Sequence, residues 1–111
     1  IEVNFISRKK TSVFENHFTW SQLNSNMVAG HYLIVNTTPV GMYPNIDQEI
    51  KISYNNLTSK HLVIDLIYNP EKTLFLKKSI LKNAQILNGY QMLVHQATKA
   101  WNIWESSNII N

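Results

Sequence analysis

The sequence predicts a single α/β domain built on a mostly parallel sheet. Short runs rich in branched and aliphatic residues recur at 32–36, 62–66 and 84–87, and helical spacing of apolar residues occupies 71–81 and 90–104. The runs at 32–36 and 62–66 lack polar alternation, which is the pattern of a parallel strand covered on both faces. Strands alternating with helices place the chain in the α/β class. With 111 residues, 44% hydrophobic and 15% charged, one globular core is the simplest partition, and neither an internal repeat nor a low-complexity linker divides it.

Ile1, Val3 and Phe5 alternate with Glu2 and Asn4, a short strand ending at Ser7. A polar and basic run to Ser12 follows it. Residues 17–20 read as a short edge strand, and Ser21 as the N-cap of a helix over 22–28 that Gly30 stops. The strand at 32–36 is ended by Thr38, Pro39 and Gly41. Residues 43–54 read as loop with two weakly extended pieces, before the second buried strand at 62–66. In the helix over 71–81 the apolar positions are Leu74, Phe75, Ile80 and Leu81, and Asn83 takes the left-handed conformation that closes such a helix. After the strand at 84–87, Met92, Leu93, Gln96, Ala97, Ala100, Trp101 and Trp104 recur near helical spacing, with Gln96 the polar intruder on that face.

The net charge of +3 is mild, and the cations are scattered apart from Arg8-Lys9-Lys10 and Lys77-Lys78, which argues against a nucleic-acid surface and for a local anion site. The absence of cysteine removes disulfides, zinc-thiolate centres and thiol nucleophiles, and makes the cytosol the default compartment. No apolar run approaches the roughly 20 residues of a membrane helix, and no charged-then-apolar leader precedes the first strand. The opening in committed strand alternation leads us to expect an upstream portion. His17, His31, His61 and His95 show no metal-ligand spacing and are expected to be structural or surface residues. No Gly-x-Ser-x-Gly or Ser/His/Asp order suggests a hydrolase.

Three segments carry chemistry. Asn36-Thr37-Thr38-Pro39-Val40-Gly41-Met42 breaks off a buried strand and offers hydroxyls and polar backbone; a plain strand-capping turn would explain the proline and glycine equally well. Asp65-Leu66-Ile67-Tyr68-Asn69-Pro70 sends a carboxylate and a phenol off the end of the next strand, the edge at which open α/β sheets bind ligands. In Asn88-Gly89-Tyr90-Gln91-Met92, Gly89 lets backbone approach a ligand closely, and Gln96 lies one turn beyond Met92 on the same face. Core methionine and a satisfied buried amide are the alternative readings of Met92 and Gln96.

In this order and at this spacing, the three segments resemble the shikimate dehydrogenase family. The resemblance spans nearly the whole chain, but only the later part of that family's cofactor domain and its C-terminal helix. It implies a Rossmann-like, mostly parallel sheet flanked by helices and lacking the first strand, the glycine-rich phosphate loop and the N-terminal substrate domain. By the same resemblance the cofactor is NADP, the substrate pair is shikimate and 3-dehydroshikimate, and the pathway is aromatic amino-acid (chorismate) biosynthesis. Ser7-Arg8-Lys9 takes the place of the family's Asn-Arg-Thr. There an arginine accommodates the 2′-phosphate, with Lys9, Lys10, Thr11 and Ser12 as weaker candidates beside it and a solvated basic turn as the alternative. Asn36, Thr37 and Thr38 become candidate contacts to the cofactor's ribose and pyrophosphate, Leu66, Gly89 and Met92 to its nicotinamide, and Tyr68 and Gln96 to the substrate. Asp65 is read as structural.

The resemblance assigns the proton of the reacting hydroxyl to a lysine and aspartate on the substrate domain, so no catalytic residue is expected in this chain and the chain alone is expected to be inactive. Two other functions stay open: a quinate or amino-analogue dehydrogenase using NAD, and a non-catalytic nucleotide-binding module. In a sheet ordered 3-2-1-4-5-6, the first strand separates the strand at 1–6 from that at 32–36. Without it, these two either pair directly or leave edges that a second copy covers in a homo-oligomer.

Overall fold

The computed structural model describes residues 3–8 and 16–109, within which five short strands and three helices follow one another. Strand β1, Phe5–Ser7, pairs in parallel with β2, His17–Thr19. The chain leaves β2 through a 3-10 turn, Trp20–Gln22, closed by a reciprocal capping box between Thr19 and Gln22. A new helix, α1, then runs over Ser25–Gly30, its first turn capped by Asn24, whose side chain accepts from the Met27 amide at 3.0 Å. The expected helix over 22–28 capped by Ser21 is therefore corrected. Thr19 and Asn24 both offer better-placed acceptors, and they divide the segment in two.

β3, Leu33–Asn36, and β4, Leu62–Asp65, run parallel, joined by a long excursion that includes a 3-10 turn at Tyr54–Asn56; the two weakly extended pieces expected over 43–54 form no strand there. α2, Leu74–Ile80, begins later than the expected 71–81, because Thr73 caps it by accepting from the Leu76 amide at 3.3 Å. Asn83 closes it at φ 67°, and β5, Gln85–Leu87, then pairs in parallel with β4. The last helix, α3, spans Gly89–Ile109, longer at both ends than the expected 90–104.

The strands form two sheets, β1-β2 and β3-β4-β5. Of the two expected arrangements, direct pairing of the first strand with the strand at 32–36 is thus not found. A side-chain bond links Asn4, before β1, to His31, before β3. Ile34, Val63 and Ile86 are aligned across the larger sheet and face the main core, where Val28, Ile50, Leu57, Phe75, Leu76 and Ala84 are buried. Each such large side chain withdrawn from water contributes roughly 1.5–3 kcal/mol. The other face is not covered along β3: Leu33 is 58% and Val35 44% exposed. The expectation of burial on both faces therefore holds for β4 and fails for β3, whose Leu33 and Val35 no described element covers.

His61 shows how polar groups enter this core. Its Nδ1 accepts from the Thr58 amide at 3.0 Å and its Nε2 donates to the Val28 carbonyl at 2.9 Å, so both ring nitrogens are committed and the neutral Nε2–H tautomer is required. His17 is buried against Ser7, whose hydroxyl meets its Nε2 at 2.6 Å. No group of three or more histidine or acidic side chains that could hold a metal occurs among the described residues. Nor is any described helix long and apolar enough to cross a membrane.

Candidate functional site

β3 and β4 end side by side, with Asn36 opposite Asp65, and the segments that leave them form the two lips of an open cavity of about 470 Å³. Thr37, Thr38, Pro39, Met42 and Tyr43 line one lip; Leu66, Ile67, Tyr68 and Asn69 line the other. The lips are tied across the mouth by a bond from the Tyr43 amide to the Asn69 carbonyl at 2.9 Å.

Beneath the cavity lies a fully buried carboxylate. One oxygen of Asp65 accepts from Asn36 Nδ2 and from the Ile67 amide, both at 3.1 Å, and the other accepts from the Thr73 hydroxyl at 2.6 Å. Burial raises its pKa above the ordinary carboxylate value, and the bonds from Thr73, Ile67 and Asn36 oppose that rise. Asn36 passes the connection on: its Oδ1 accepts from the Thr38 amide at 3.0 Å and from the Thr38 hydroxyl at 2.7 Å. The same hydroxyl accepts from the Val40 amide at 3.2 Å. Gly41 completes the loop at φ 94°, a conformation in which a side chain would be strained.

This wiring sorts the expected contacts. The Asn36 side chain is buried and spent on Asp65 and Thr38, and the Thr38 hydroxyl is spent on Asn36 and Val40, so both frame the lip. Thr37 is the exposed hydroxyl of the three. Leu66 and Tyr68 stand in the cavity wall at 47% and 70% exposure. The lining residues to which the sequence assigned no contact are Pro39, Met42, Ile67 and Asn69, which lie within the two motifs, and Tyr43, which directly follows the first.

Gly89 is required by a close approach, but the partner is protein backbone. A Cβ at Gly89 would lie 1.9 Å from the Leu66 carbonyl oxygen, and the Gly89 amide donates to the Ile67 carbonyl at 3.1 Å. Asn88 fixes the same junction. Its side chain accepts from the Gln91 amide at 2.8 Å while the Gln91 side chain accepts from the Asn88 amide at 2.9 Å, and Asn88 Nδ2 holds the Glu71 carbonyl at 2.9 Å. α3 thus starts against the lip that carries Leu66. Met92, half-buried, and Gln96, exposed, lie along it and do not line the cavity; the satisfied buried amide considered for Gln96 is not found. Arg8 is exposed just beyond β1, Ser7 is engaged with His17, and Lys9, Lys10, Thr11 and Ser12 lie outside the described residues.

No family model matches the sequence. Curated relatives do: shikimate dehydrogenase (NADP(+)) of Methanococcus aeolicus is 38% identical over 104 residues, 93% of this chain and 37% of that protein. Among solved structures, a shikimate dehydrogenase in complex with NADP+ is 40% identical with a TM-score of 0.62, covering 81% of this chain and 30% of its own. The shikimate 5-dehydrogenase of Listeria monocytogenes, in complex with shikimate and NAD, is 28% identical with a TM-score of 0.64, over 81% of this chain and 32% of its own. The chain spans about a third of the length of the curated relatives it matches, in their C-terminal part.

Proposed function

We propose, from the premise that this chain is homologous to the C-terminal part of shikimate dehydrogenases, that it forms one wall of the cofactor cleft in an NADP-dependent enzyme that reversibly reduces 3-dehydroshikimate to shikimate. The observation that carries the reading is the paired lips: two adjacent parallel strands end together and their exits line one cavity, the place where open α/β sheets take ligands. The lining suits a flat ring and its sugar. Leu66 and Met42 are exposed apolar surface, and Thr37 is an exposed hydroxyl on the opposite lip from Leu66. A cavity of about 470 Å³ has room for that portion rather than for a whole dinucleotide.

NADPH supplies the hydride when bound. The chain's own residues bind and orient. Arg8 offers a planar, permanently charged fork to the 2′-phosphate, with Lys9, Lys10, Thr11 and Ser12 following it in sequence. Thr37 and the framed backbone of Thr38 hold the sugar side, and Leu66 packs on the ring, with Met92 beyond it on α3. Tyr68 and Gln96 belong to the substrate side. By itself the chain is expected to bind cofactor without turning over shikimate, since the resemblance assigns the hydroxyl proton to none of its residues.

Calorimetric titration of the 111-residue chain with NADP+ and NAD+ tests this. NADP+ binds more tightly, and Arg8→Ala removes most of the difference, because losing one charge-assisted contact costs about 1.5–3 kcal/mol. Equal affinities in the unaltered chain, or equal losses for both cofactors in Arg8→Ala, would refute the assignment. NAD is the second reading to be measured in the same experiment, favoured by the Listeria enzyme's complex with NAD.

A further inference from the structure

We propose that Asp65 is the positioning residue of the cleft: its buried carboxylate sets the separation and register of the two lips, and hence whether a ligand can touch both at once. The proposal rests on the cavity being the cofactor site. Its geometric basis is that Asp65 binds donors from three different segments: Asn36 at the end of β3, Ile67 just past its own strand, and Thr73 at the N-cap of α2. Through Asn36 it reaches the amide and hydroxyl of Thr38, on the first lip. Through the Ile67 amide it fixes the second, directly between Leu66 and Tyr68. Through Thr73, whose oxygen also accepts from the Leu76 amide, it anchors both to the first turn of α2. Loosening this one side chain frees three places at once.

The choice of residue is informative because it is an expensive one. Asp65 is 0% exposed, and among the described residues no cation forms an ion pair with it. A buried carboxylate without a countercharge carries a desolvation cost that its hydrogen bonds must offset, so the position is tolerated only while all three donors stay in place. What it supplies that leucine cannot is direction: two acceptor oxygens at fixed angles to donors 29, 2 and 8 residues away in sequence. Unlike Thr37, Leu66 and Tyr68, Asp65 does not line the cavity, so any effect on ligand must pass through the lips.

The test uses the isotopically labelled 111-residue chain and NADP+ as probe. Asp65→Leu leaves the donors on Asn36, Ile67 and Thr73 without an acceptor and so lowers the denaturation midpoint, while the fold is kept, read as an unchanged far-UV spectrum. It nevertheless weakens NADP+ binding about tenfold or more and speeds hydrogen exchange of the Thr38 amide, which Asp65 does not itself touch. Asp65→Asn, which retains one acceptor oxygen for Asn36 and Ile67, recovers part of the loss. Thr73→Ser, retaining the hydroxyl, binds more tightly than Thr73→Val. A folded Asp65→Leu chain with unaltered Thr38 exchange overturns the proposal. If Asp65→Leu does not fold, Asn36→Leu and Thr73→Val decide: unaltered NADP+ affinity in both, with Thr38 exchange unaltered in Thr73→Val, overturns it equally. Failure of the unaltered chain to bind NADP+ defeats the cofactor assignment instead, and the exchange of Thr38 still decides the role of Asp65.

Discussion

Around Asp65, over residues 62–80, the chain commits its polar groups to one another and buries Val63, Ile64, Phe75, Leu76, Thr73 and Ser79; every residue from 93 to 106, along α3, is exposed. Both regions are rich in apolar side chains, so composition does not distinguish them. Trp101 and Trp104 meet in a tilted arrangement at a centroid separation of 5.4 Å and remain 56% and 58% exposed. The difference is anchoring. The sheet end is held by bonds whose partners lie far apart in sequence, while α3 is held at its first turn by Asn88, Gln91 and the Gly89 contact. Cooperative stability should therefore reside in the first region and fall away along the second.

Substitutions can break that contrast or sharpen it. Phe75→Ala, at a position 1% exposed under the sheet, should cost about 3–5 kcal/mol in urea denaturation followed by circular dichroism. A cost below about 1 kcal/mol would mean that the core under β4 is not the seat of stability. Gly89→Ala places a methyl group 1.9 Å from the Leu66 oxygen and should cost about 1–3 kcal/mol, with a matching loss of NADP+ affinity because the displaced backbone belongs to the cavity wall. Stability and binding that both stay unchanged would show that the junction has room to give. Asn88→Ala removes the cap and the tie to Glu71, a loss of about 1 kcal/mol that should appear as faster amide exchange confined to the start of α3. Trp104→Ala should change stability by no more than about 0.5 kcal/mol, as expected for an exposed side chain. A loss several times larger would place α3 in contact with the rest of the protein and erase the contrast.

The same contrast explains what could be read without coordinates. β3, β4 and β5 were legible because Leu33 to Val35, Leu62 to Ile64 and Ile86 to Leu87 leave little choice but strand, and Asn83 was legible as a helix stop because few other residues tolerate φ 67°. Helix starts were misread where several cap residues compete: Ser21 is a plausible cap, but Thr19 has Gln22 to answer it and Asn24 reaches Met27. The covering of strand faces was misread at β3 because an apolar run reports what a strand tolerates, not which neighbours arrive. At the candidate site the two motifs located both lips of the cavity. Asp65, read as structural, gave no sign of its reach, since its partners Asn36 and Thr73 are not its neighbours in sequence. Gly89 signalled a close approach without saying that the approaching group is the Leu66 carbonyl.

Leu33 and Val35, two positions apart on the exposed face of β3, have a consequence for the isolated chain in concentrated solution that solubility measurements can check. A parallel sheet ordinarily hides such a face, and with a net charge of only +3 little electrostatic repulsion keeps two of these surfaces apart. Sulfate and phosphate, which strengthen apolar burial, will lower the protein's solubility, whereas modest sodium chloride, which acts by screening charge, will change it little. Purification is best carried out dilute and free of kosmotropic salts, and replacing Val35 with threonine, a close match in shape, is the smallest change that makes this face wettable without disturbing the strand.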